Sequence, residues 1–191
     1  MEEIKLLFFI LSSFFSIENE RIAADKTEVR IFPQEQKIEI FQENLFALIQ
    51  SKNDEALVLK QWDSLYNWKQ NKTPWSKALD NFLVKDLKFT PVKMTTQPHK
   101  VLIRPYLTLK YKSTNDLSIM GIWYNSKKNE FYINHIPGHN IKSKNGRLQG
   151  NYWVFSANDT INFTIEPFLN LNDNLKSSKV SLQELLRKHK K

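Results

Sequence analysis

The stretch GIWYNSKKNEFYINHIPGH, Gly121–His139, gathers three side chains with chemical reach: Trp123, His135 and His139. An imidazole can shuttle a proton near neutral pH or ligate a metal, and an indole offers a broad apolar face with one donor. Strand alternation sets Phe131, Ile133 and His135 on one face and Tyr132, Asn134 and Ile136 on the other. SKKN makes the turn before them, with Asn129 suited to left-handed backbone. Pro137-Gly138 then reads as the central pair of a type II turn. If the chain reverses there as a two-residue hairpin, Ile136 faces His139, and the imidazoles of His135 and His139 point to opposite faces. A shared metal needs them to converge, so no metal and no cofactor are expected. His135 remains as a single acid or base inside a pocket, or as a core histidine bonded to a carbonyl. Trp123, Phe131, His135 and Trp153 form the candidate ligand-binding set, lining a core or a pocket.

Other catalytic constellations are missing. There is no phosphate-cradling glycine loop, no G-x-S-x-G and no H-E-x-x-H. Cysteine is absent, which excludes disulfides, thiolate nucleophiles and Cys-ligated metals. In the strand-rich half Asp116, Glu130 and Asp159 fall at turns or strand ends, and Glu166 points outward. Asp63, beside Trp62 on a helix, is the one carboxylate able to approach a pocket mouth. The catalytic candidates are therefore His135 and Asp63, and the balance is against an enzyme.

The net charge of +8 is unevenly spread. Residues 1–60 hold 7 Lys/Arg against 11 Asp/Glu, and residues 61–191 hold 21 against 9. Such a basic portion attracts polyanions. The candidate face is Lys88, Arg104, Lys110 and Lys112, with Lys127 and Lys128 at the hairpin tip. Yet only 5 of the 28 basic residues are Arg, the side chain expected where phosphates or bases are gripped bidentately.

These residues need elements to hold them. The chain opens with an apolar run, Leu6–Ile17, of a length that suits a secretory leader and is too short to span a bilayer. The segment Ile22-Ala23-Ala24 offers a cleavage site, against an n-region, MEEIK, that is more acidic than such leaders prefer. The expected organisation is a leader over 1–24, one domain over 25–176 and a C-terminal capped helix with a basic tail over 177–191. Export to the periplasm or outside follows from that reading.

A short strand is expected at Glu28–Phe32. KIEIFQENLFALIQ then places Ile38, Phe41, Leu45, Leu48 and Ile49 at helical spacing. DEALVLKQWDSLYNW continues with a stripe of Val58, Trp62 and Leu65. A third helix opens at Thr73-Pro74 and presents Trp75, Leu79, Phe82 and Leu83. From Leu87 the period becomes two. VLIRPYLTLKY alternates, with Pro105 marking an edge or bulge. Further strands are expected at 117–125, 130–136, 149–157 and 161–166, the last two joined as a hairpin by ANDT. VSLQELLRKHKK closes the chain as a helix whose basic end suits the negative helix terminus.

This order predicts an α+β fold: N-terminal helices packed on a curved antiparallel meander sheet, with a short C-terminal helix. Over residues 30–170 it resembles the cystatin-like and NTF2-like α+β rolls, the segment FQENLFALIQSKNDEALVLKQW looking like their first helix, polar break and second helix. The resemblance implies a hollow sheet. That superfamily holds isomerases and dehydratases with pocket Asp, His or Tyr, and also many non-catalytic binding modules, so a shared fold names no activity. The expectation is a non-catalytic, exported envelope module that recognises a protein surface or an apolar ligand. The rivals are a polyanion binder and a small isomerase- or hydrolase-like enzyme using His135.

Overall fold

The structure, a computed structural model, describes residues 22–70, 79–93, 101–136, 138–170 and 172–189. Strands β1 (Ile22–Phe32) and β2 (Lys37–Leu48) open it, followed by helix α1 (Lys52–Tyr66) and strands β3 (Val84–Lys93) and β4 (Val101–Lys110). A 3-10 turn, Thr114–Met120, leads to β5 (Ile122–Asn125) and β6 (Glu130–Asn134). Then come β7 (Lys142–Ser143), β8 (Arg147–Gln149), β9 (Tyr152–Ser156) and β10 (Ile161–Ile165). Helix α2 (Asp173–Ser177), β11 (Lys179–Ser181) and helix α3 (Leu182–His189) finish it.

The expected α+β roll with N-terminal helices is corrected here. The described chain is mostly antiparallel strand in two sheets, ordered β3-β4-β2-β1-β10-β7 with β11 also on β2, and β5-β6-β9-β8. The segment read as the first helix is β2, paired along its length with β1. It therefore carries none of the helical half of the likeness to the rolls. The reason is visible in its burial. Ile38, Ile40 and Gln42 face the core, and then Leu45 and Ala47 do, so the buried parity changes midway. Asn44, at φ +55°, sits at the change. β1 switches with it, from Ala24 to Thr27, so buried residues stay opposite buried ones: Ala24 faces Leu45 and Val29 faces Ile40. A strand that changes face once spaces its apolar residues much as a helix does.

Helix α1 lies where expected. Its start is a capping box: the Ser51 hydroxyl accepts from the Asp54 N–H at 3.3 Å, and the Asp54 carboxylate accepts from the N–H groups of Gln50 and Ser51. The third expected helix is only partly in view. Thr73, Pro74 and Trp75 lie outside the described residues, and Leu79–Asn81 form a turn. Leu117–Met120, expected as strand, belongs to the 3-10 turn.

Pro105 has a local explanation. β4 is interior, between β3 and β2, but its pairing with β2 stops at Tyr106. The residue without an N–H stands where that ladder ends. Farther along β2, β11 takes the vacated edge, opposite Phe46, Ala47 and Leu48.

The two sheets share one buried apolar cluster that includes Val29, Ile31, Leu107 and Phe163 from the first sheet and Ile122, Phe131, Ile133 and Phe155 from the second. Phe155 of β9 meets Phe163 of β10 with ring centroids 6.0 Å apart. The expected β9–β10 hairpin is thus replaced by a crossover: β9 pairs with β6 and β8, and β10 with β1 and β7. Among the described residues no helix is long and apolar enough to cross a membrane.

Candidate ligand-binding face

The hairpin β5–β6 forms as its sequence suggests. Asn125 stands opposite Glu130, Ser126–Asn129 make the turn, and Asn129 adopts φ +54°. The Asn125 side chain accepts from the N–H groups of Lys127 and Lys128, while Tyr124 donates its hydroxyl to Asn129 at 2.8 Å. The tip is therefore fixed by side chains as well as backbone.

Alternation on β6 sorts the candidates. Phe131 and Ile133 are buried, with His135 on the same side and half-buried. Phe131 is 1% exposed and packs on Tyr124, so it belongs to the core and is closed to a ligand. Trp153 faces Ile133 across the β6–β9 ladder and packs against the core. Trp123 stands opposite Tyr132 on the other face. The four residues grouped from sequence are split between the two sides of one sheet.

The wet side holds a group that the sequence reading did not assemble. Trp123, Tyr132 and Tyr152 surround a shallow open basin of about 630 Å³, rimmed by Asn125, Ser126, Lys127 and Asn134. Tyr132 and Tyr152 meet at ring centroids 6.2 Å apart with planes at 82°. Tyr152 is 44% exposed, a large ring left in water. Tyr132 donates its hydroxyl to Glu130 at 2.6 Å, and Glu130 is also ion-paired with Arg147. The Tyr132 hydrogen bond and the Arg147 guanidinium hold the Glu130 carboxyl below its ordinary range, and the same bond to Glu130 raises the Tyr132 phenol. Period-two alternation separates Tyr132 from Phe131 and Ile133; Trp123 needed the β5–β6 register and Tyr152 the β6–β9 register.

No family model, curated protein or solved structure matches this chain. The geometry alone carries the functional reading.

The histidines do not form a site together. The Ile136 carbonyl accepts from the His139 N–H at 3.2 Å, and Gly138 has left-handed backbone at φ +88°, while Pro137 lies outside the described residues. The chain does not return along the same sheet, however. His135 extends the β6–β9 ladder by donating its N–H to Asn151, whereas the His139 carbonyl accepts from Glu166, beyond β10 in the first sheet. Burial pushes the His139 imidazole below its ordinary range. Asp63 is exposed on α1 and accepts from Asn67 at 2.8 Å. Among the described residues no group of three or more His, Asp or Glu is placed to hold a metal.

Two of the six residues of the proposed basic face, Arg104 and Lys88, are paired with the first sheet's own acids. Arg104 reaches Glu43 at 2.5 Å and Glu28 at 3.9 Å, and Lys88 reaches Asp86 at 2.8 Å. The Arg104 guanidinium also covers the Phe41 ring, which stacks on Tyr106 at 4.4 Å. The acidic early segment and the basic later one are thus neighbouring strands, β2 beside β4. Lys110 and Lys112 are exposed at the end of β4, and Lys127 and Lys128 at the distant hairpin tip. Arg187, Lys188 and His189 form the last turn of α3, and Lys188 and His189 engage Glu55 of α1.

Proposed function

We propose that this protein is a non-catalytic binding module whose ligand face is the outer side of the β5-β6-β9-β8 sheet. One observation carries the reading: Trp123, Tyr132 and Tyr152 are presented together to solvent around a basin with a polar rim. Large rings cost free energy in water, and burying them against a ligand recovers it with little loss of side-chain freedom. The basin's volume is that of an ordinary ligand site. The polyanion reading has less support, because Arg104 and Lys88 already engage carboxylates. The apolar run Leu6–Ile17 supports placing the module in the cell envelope or outside the cell.

Amide hydrogen exchange of the purified protein, with and without an extract of envelope polymers and proteins, tests this. Added protection is expected on β5, β6 and β9, lost in Tyr152→Glu and kept in His135→Gln. Protection confined to the outer face of β3 and β4, or indifferent to Tyr152→Glu, rules the reading out. N-terminal sequencing of the protein from fractionated cells tests the location.

A further inference from the structure

We infer that the ligand of this face is a neutral oligosaccharide. The inference rests on the reading of the basin as the binding surface and adds the class of molecule. A pyranose ring has one face of polarised C–H bonds and a girdle of hydroxyls. The C–H face packs on the negative π-face of an aromatic ring, and the hydroxyls need donors and acceptors around it. The basin supplies both: the rings of Trp123, Tyr132 and Tyr152, with Asn125, Ser126, Lys127 and Asn134 at their margin.

Three features separate a sugar from its rivals. The first is charge. The only carboxylate and guanidinium on the strands flanking these rings, Glu130 and Arg147, are paired with each other. They give directed hydrogen-bond groups with no net charge between them. A phosphodiester chain needs positive charge along its path, and here Lys127 and Lys128 lie together at one end, on the hairpin tip.

The second is ring geometry. Successive nucleobases stack parallel to one another, so a nucleic-acid platform presents rings of like orientation. Tyr132 and Tyr152 stand at 82° and make a corner. One ring can lie beneath a sugar while the other flanks it.

The third is polarity. An apolar ligand would cover the Asn134 amide and the Asn125 NH2 group without offering them partners, and unpaired amide groups are costly to bury. Hydroxyls satisfy them.

The test uses neutral polysaccharides of glucose, mannose, xylose and N-acetylglucosamine, each cast into native gels, with the wild-type chain, Trp123→Ala, Tyr152→Ala and Lys128→Ala, whose side chain lies off the basin's rim. Circular dichroism confirms that each variant is folded, and Trp123→Phe serves as the conservative control. At least one polymer is expected to retard the wild type. Affinity is expected to fall about tenfold or more in the two aromatic-to-alanine variants, on the scale of a lost stacking contact. It should be largely kept in Trp123→Phe and in Lys128→Ala, and stay flat as salt rises. Failure of every polymer to retard the protein overturns the inference. Tight, salt-sensitive binding of a single-stranded oligonucleotide that Trp123→Ala and Tyr152→Ala abolish would overturn it too, while leaving the face as the binding surface. Polysaccharide binding indifferent to both alanine variants would end the inference and the site assignment together.

Discussion

Gly146 lies so close to Phe155 that a Cβ on the glycine would stand 2.4 Å from the ring's Cε1. The segment between β7 and β8 passes directly over the ring that joins the two sheets. Gly146→Ala is expected to destabilise the fold by about 1–3 kcal/mol, the usual cost of overpacking. Thermal unfolding measures it, and Phe155→Leu in the same chain should remove part of the penalty. An alanine variant as stable as the wild type would show that the two sheets do not meet there.

Arg104 is expected to hold the fold together rather than recruit polyanions. Its guanidinium is paired with Glu43 and lies over Phe41. Arg104→Ala should cost about 1–3 kcal/mol in urea unfolding, and Arg104→Lys should recover only part of that because an ammonium lacks the planar fork. Lys110→Ala should change stability by less than about 0.5 kcal/mol. Equal effects at the two positions would refute this division.

Acid should loosen the binding face late. Glu130 titrates below its ordinary value of 4.5 in the folded chain. A group with a depressed folded pKa contributes fully above its unfolded pKa and loses that contribution as pH falls through the folded one. The difference in melting temperature between wild type and Glu130→Gln is therefore expected to be flat from about pH 7 to pH 5 and to shrink below that. A difference that stayed constant down to pH 3 would contradict the Tyr132–Glu130–Arg147 linkage.

Alkali acts at another place. Burial raises the Tyr111 phenol from 10.0 to about 12. Its hydroxyl has no hydrogen-bond partner among the described residues. A raised folded pKa means that stability is full below the unfolded value and is lost as pH rises through the folded one. The loss between pH 10 and 12 is on the order of 2 kcal/mol. Tyr111→Phe should lack this component and, near neutral pH, should be at least as stable as wild type. Identical alkaline unfolding of the two proteins would exclude it.

The first strand makes a prediction about the N-terminus. Ile22 and Ala24 are buried and stand opposite Ala47 and Leu45. A chain beginning at Asp25 is expected to be less stable than one beginning at Ile22 by about 2–4 kcal/mol, the cost of removing one large and one small apolar side chain. Any processing of a leader is therefore expected before Ile22, and the mass of the mature protein would show it. Equal melting temperatures for the two truncated chains would remove the argument.

Local chemistry was legible wherever neighbours in sequence are neighbours in space. Helix α1, the β5–β6 turn at Asn129, the alternation of Phe131, Ile133 and His135, and the left-handed backbone at Gly138 could all be read directly. β2 could not, because Asn44 exchanges its buried face and so imitates a helical period. The joint between β9 and β10 could not either. ANDT is short enough for a hairpin, and only the partners already waiting in each sheet, β6 for Phe155 and β1 for Phe163, direct the two strands apart.

The candidate face divides in the same way. Sequence alone determined that Tyr132 and Asn134 would be reached from the side opposite Phe131 and Ile133, because successive side chains on a strand point to opposite faces. It also determined the absence of thiol chemistry and the charge difference between the two halves. Only the tertiary structure decided which side is wet, which aromatic rings share it, and which carboxylates neutralise Arg104 and Arg147. Alternation defines two faces but does not say which one meets the other sheet; that is set by packing between residues far apart in the chain.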